Sequence, residues 1–156
     1  MAILKQLPPF WTVFFMSMLP IVELKGSIPV GVAMGIPLWE AFLIAWLASA
    51  VPVPFILLFL RPLIRYMKST KPFRKFANWL EARTRRKTEK GVIRKYRLLG
   101  LFLFVAIPLP GTGVWTGSMI AALLDLRISH ALPVILFGNL VAGLLMLFLT
   151  HSIIPA

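Results

Sequence analysis

An acid and a base lie two positions apart in a stretch otherwise free of charge: Glu23-Leu24-Lys25-Gly26-Ser27-Ile28-Pro29-Val30-Gly31. Ionisable side chains in apolar surroundings are costly, and in membrane proteins they mark ion and substrate pathways. The Glu23 carboxyl suits a proton or a cation. Lys25 suits pairing with it, or an anionic headgroup. The plainer alternative is that both side chains snorkel to an interface. Gly26, Ser27 and Pro29 crowd the same turn, which favours the functional reading. A second constellation, Pro108-Leu109-Pro110-Gly111-Thr112-Gly113-Val114-Trp115-Thr116-Gly117, carries no charge. Gly111 and Gly113 let backbone amides approach a ligand closely. A helix starting after them would aim its N-terminal amides at an anion such as a phosphate. Pro110 shapes the turn, and Thr112 and Thr116 add hydroxyls. Close helix packing through small residues is the competing reading.

Other residues are weaker candidates. Arg127 follows the second constellation and either faces a substrate, pairs with Asp125, or only reports topology. Asn139 lies in an apolar run beside Gly138 and Gly143, as an interhelical hydrogen bond or as part of a site. The expected set is Glu23 for ion or proton coupling, with Lys25, Gly26, Ser27, Pro29, Pro110, Gly111, Thr112, Gly113, Thr116, Arg127 and Asn139 binding substrate. With no cysteine, disulfides, thiolate chemistry and cysteine metal sites are excluded. No metal-spaced His/acid cluster, Walker loop or nucleophile elbow occurs. The expectation is neither an enzyme nor a cofactor protein, and any uphill transport would draw on an ion gradient.

What must position these residues is set by hydropathy. The chain has 156 residues, normally one domain, and 59% are hydrophobic. With a mean hydropathy of +0.87 it carries more apolar surface than a soluble fold of this size can hide. Lipid is the expected solvent. Two runs of twenty uncharged residues, Ala41 to Leu60 and Ala131 to Thr150, match a bilayer of roughly 30 Å as helices. Pro52 and Pro54 predict a kink in the first. Phe10 to Val22 and Leu98 to Leu109 are too short to cross as helices, and each is followed by a polar break and a second arm, Ile28 to Met34 and Val114 to Leu124. This pattern predicts two re-entrant hairpins; two kinked full spans are the alternative. Irregular backbone at such depth needs protein or a water-filled cavity around it.

The net charge of +12 is confined to residues 61–97, which hold fourteen of the seventeen Lys/Arg. A basic block between apolar halves is the signature of a cytoplasmic loop, with both termini then outside. Around Phe73, Phe76, Ala77 and Leu80 the spacing is helical, which predicts a basic amphipathic helix on anionic headgroups. A solvated linker fits equally, and no nucleic-acid partner is expected. Met1 to Leu7 lacks the features of a signal peptide, so no processing is expected. The predicted architecture is therefore an all-α integral membrane protein of the cell inner (plasma) membrane. It is one membrane domain: residues 10–60 and 98–151 form two inverted repeats, each a hairpin plus a span, with 61–97 between them. Such repeats with interrupted helices place transporter sites at their interface. So much broken helix in one small copy predicts a homodimer.

The two constellations, their order, the basic segment between them and the chain length resemble the small multidrug export protein family. Glu23 to Pro29 resembles its first signature and Pro108 to Gly117 its second. The family is similar in architecture to the DedA superfamily, whose members carry two opposed re-entrant hairpins. That resemblance implies translocation of a phospholipid-like or polyprenyl-phosphate substrate with proton or ion coupling. The second turn here is uncharged, whereas DedA proteins carry arginines around it; only Arg127 follows. Two other readings stay open: export of small cationic compounds, and a non-transporting membrane organiser that binds anionic lipid.

Overall fold

The computed structural model describes residues 8–72, 74–75 and 90–153. Among these, every regular element is a helix: α1 Pro9–Met18, α2 Glu23–Ala33, α3 Leu38–Ala50, α4 Pro52–Ser69, α5 Lys90–Ala106, α6 Val114–Leu123 and α7 Ile128–Ile153. The expected amphipathic helix around Phe73 to Leu80 falls largely outside the described residues.

Two apolar runs, Leu38–Leu63 and Ile128–Ile153, are long and apolar enough to cross a membrane. The first is interrupted. Pro52 has no N–H to give, the Val51 N–H reaches only Ala48 O at 3.3 Å, and α3 ends there. The expected kink thus divides the run into α3 and α4. The second run is the single helix α7, with Pro133 inside it.

One expectation needs correction. Glu23-Leu24-Lys25-Gly26 is not a loop between two arms. The chain breaks earlier, at Leu19 to Val22, and these four residues form the first turn of α2. The break needs no glycine, because Pro20 cannot donate and Glu23 itself takes a positive φ of 48°. The second break, 107–113, falls where its Pro/Gly content predicts. At about 1.5 Å per residue, the ten residues of α1 and of α6 each cover roughly 15 Å, half a bilayer.

A further turn repeats with a spacing of 90 residues. Ile36 N–H bonds to Gly31 O at 3.0 Å, and Leu126 N–H bonds to Ala121 O at 3.0 Å. The residues before them, Gly35 at φ 90° and Asp125 at φ 52°, are both left-handed. This six-to-one closure ends α2 and α6 alike. Glycine takes the position freely, and aspartate is among the few side chains that tolerate it.

Two apolar cores result. Val13, Leu24, Ile28, Phe42 and Ala45 join α1 to α3, with Leu140 and Leu144 of α7 against them. Val53, Leu57, Leu101, Val105, Val114, Ala121 and Ile135 join α4 to α7. Gly143 lets α7 close on α3: a Cβ there would meet Phe42 at 2.6 Å. Between the cores, Asn139 donates to Ser49 Oγ at 2.7 Å and Trp46 Nε1–H donates to Leu136 O at 3.4 Å.

Candidate functional site

Where the break before α2 meets the break before α6, a cleft of about 340 Å³ opens. Its walls include Glu23, Lys25 and Gly26 on one side and Gly111, Thr112 and Thr116 on the other, with Met146 of α7. Gly26 allows the tight first turn of α2, since a Cβ would lie 2.6 Å from Val22 Cγ1.

Glu23 is buried, with 6% of its surface exposed. Its Oε1 accepts the backbone N–H of Trp115 at 3.2 Å. Trp115 is the second residue of α6, whose N-cap Gly113 offers no side-chain cap. The first N–H groups of a helix lack partners and carry the positive end of its dipole. Glu23 therefore caps α6 from another helix, and its carboxylate fills the place that an anion at this N-terminus would take. The reverse contact also exists: Trp115 Nε1–H donates to Met18 O at 3.0 Å, satisfying a carbonyl at the end of α1. Each broken helix is capped by the other. Gly113 is what permits this approach. Its φ is 154°, and a Cβ built on it would overlap the Glu23 carboxylate.

Lys25 reaches across the cleft. Its Nζ donates to Leu109 O at 2.8 Å, to Thr112 Oγ1 at 2.9 Å and to Thr112 O, and lies 4.0 Å from Glu23 Oε2. Thr112 builds this acceptor cluster. Its Oγ1 lies 2.7 Å from Ile107 O and 2.8 Å from Leu109 O, and accepts Leu109 N–H at 3.2 Å. An ammonium has three protons, and here three oxygens meet them.

The family model described as "Putative small multi-drug export protein" matches residues 23–145, which take in both sides of this cleft. The chain belongs to that family. No curated protein and no solved structure matched the chain. The family and the two long apolar runs among the described residues point to a membrane protein that transports rather than catalyses.

In this export-family protein, seven of the expected residues meet at the cleft: Glu23, Lys25, Gly26, Pro110, Gly111, Thr112 and Thr116. Gly113 joins them through its contact with Glu23. Four lie elsewhere. Ser27 is buried against Ser17, Oγ to Oγ 2.6 Å. Pro29 sits within α2. Asn139 bonds Ser49, as an interhelical hydrogen bond. Arg127 is exposed beside the start of α7, and Asp125 lies 3.9 Å from Arg65 instead. Two contributors carry no sequence signal of their own, the carbonyls of Leu109 and Thr112. The indole of Trp115, through its bond to Met18 O, is a third participant.

Proposed function

We propose that the protein exports small cationic compounds across the plasma membrane, with Glu23 as the counter-charge and as the ion-responsive group. In this reading residues 9–33 and 98–123 are two re-entrant hairpins of inverted repeats, meeting near the midplane with the cleft between them. The half-bilayer length of α1 and α6 and the 90-residue spacing of the turns and of the Ser49–Asn139 contact support it. The basic segment 61–97 then lies in the cytoplasm, as the distribution of Lys/Arg implies.

The observation that carries the reading is the Glu23 carboxylate, buried on the cleft wall and held by an N–H from the opposite hairpin. A cation bound there or a proton taken up there alters the capping of α6. The ligand is thereby coupled to how the hairpins meet.

The substrate class follows from which polar groups remain free. A phosphate lipid, the substrate that DedA-like architecture implies, needs donors. The Lys25 protons are occupied by oxygens, and Trp115 N–H by Glu23. A phosphate would have to displace Glu23 from α6. A cation finds the Glu23 carboxylate on the cleft wall and has only the Lys25 ammonium to displace from the oxygens of Leu109 and Thr112.

The test is flux in proteoliposomes under an imposed pH gradient, with a fluorescent lipophilic cation in one set and a labelled polyprenyl phosphate in the other. Movement of the cation alone supports the proposal. Movement of the lipid alone overturns it, and absence of both removes transport and leaves the anionic-lipid organiser.

A further inference from the structure

Lys25 is an unusual neighbour for a cation site, because it is itself a cation. Three oxygens surround its ammonium, Leu109 O, Thr112 Oγ1 and Thr112 O, and Glu23 Oε2 stands 4.0 Å away as the counter-ion. The oxygens belong to the break 107–113, and the lysine to α2 on the other side of the cleft. Thr112 bends that break by bonding within it, so the cluster is built by its own chain. The lysine side chain is largely buried, with 16% of its surface exposed. Its head joins the two sides.

We infer that the oxygen cluster at Leu109 and Thr112 is a subsite for the primary ammonium of a substrate, and that Lys25 is a tethered competitor that fills it when no substrate is bound. This deepens the cation-export reading and rests on it. Three convergent acceptors match the three N–H bonds of a primary ammonium, whereas a quaternary ammonium has no proton to give them. Leu109 O and Thr112 Oγ1 already accept bonds from within the 107–113 break, and in the empty state the tethered lysine adds the positive charge on which all three oxygens converge. It also bridges the two sides of the cleft until an amine takes its place, after which Lys25 is free to swing toward solvent.

Chemical rescue of purified protein in nanodiscs tests this without requiring transport. Lys25→Ala removes the stem and ammonium, and Lys25→Met keeps most of the stem and removes only the charge. Thermal unfolding is followed with added n-butylammonium chloride for Lys25→Ala and methylammonium chloride for Lys25→Met. Tetramethylammonium chloride and sodium chloride at equal ionic strength are the comparisons. The inference predicts that both variants melt below wild type. The primary amines restore most of the lost melting temperature, saturably, while the comparison salts do not. Wild type, its subsite filled, shows no shift. Failure of the amines in both variants overturns the inference, and so does equal rescue by sodium or tetramethylammonium. Rescue in a protein that moves no cation would leave the subsite standing and remove the export reading. Cation flux without rescue would do the reverse.

Discussion

Glu23 and Gly113 stand 90 residues apart at the starts of α2 and α6, and they touch. Glu23 begins α2 and Gly113 immediately precedes α6, and each has a positive φ, 48° and 154°. The start of α2 holds a carboxylate; the residue before α6 holds no side chain. The carboxylate lies in the space that a Gly113 side chain would need. A site with one acid, placed between the starts of α2 and α6, results from this asymmetry.

That contact predicts a coupled pair of substitutions. Gly113→Ala forces a Cβ into the Glu23 carboxylate and should destabilise the fold by about 1–3 kcal/mol, the usual range for overpacking. Glu23→Ala removes the obstacle, so Gly113→Ala should cost clearly less in that background. Chemical unfolding of the four proteins gives the coupling. Equal costs in both backgrounds would show that backbone strain alone matters at Gly113.

Thr112 is predicted to act through its hydroxyl. Thr112→Ser keeps the oxygen that bends the 107–113 break and meets Lys25, and should behave as wild type. Thr112→Val keeps the shape and loses the oxygen, at a cost of about 1 kcal/mol, rising toward 3 kcal/mol if Lys25 is left short of an acceptor. Unfolding midpoints of the two variants decide the matter. A Val variant as stable as the Ser variant would mean the bend is held by Pro108 and Pro110.

Asn139 should be structural. Its bond to Ser49 is buried and lies apart from the cleft. Interhelical pairs of this kind in membranes contribute about 0.6 kcal/mol on average. A Ser49→Ala, Asn139→Ala double-mutant cycle should return a coupling near that value, with substrate flux per folded protein unchanged. A selective loss of flux would return Asn139 to the site.

How far the residues themselves revealed this arrangement depends on the kind of interaction. The long helices were legible because twenty uncharged residues admit few other solutions, and the Pro52 interruption because proline lacks a donor. The pairing of Glu23 with the second turn was legible only as two separate anomalies, an acid in an apolar stretch and a glycine cluster. Which groups they offer each other was not. Leu109 contributes a carbonyl, a group every residue has, so its side chain carries no sign of its role. The break before α2 was misplaced by about four residues because Gly26 read as a turn former, when it serves close packing against Val22 inside the helix. Likewise Ser27 and Pro29 share the motif with Lys25, but helical geometry turns them away from the cleft.

The central claim is that the Glu23 carboxylate couples ion and substrate movement, and the most direct measurement is pH-gradient-driven efflux of a fluorescent lipophilic cation from proteoliposomes with wild type, Glu23→Asp and Glu23→Gln. Glutamine keeps the size and an acceptor for Trp115 N–H but cannot ionise. The account predicts gradient-driven efflux by wild type, reduced efflux by the aspartate variant, and none by the glutamine variant, although that variant folds. Undiminished gradient-driven efflux by Glu23→Gln would contradict it.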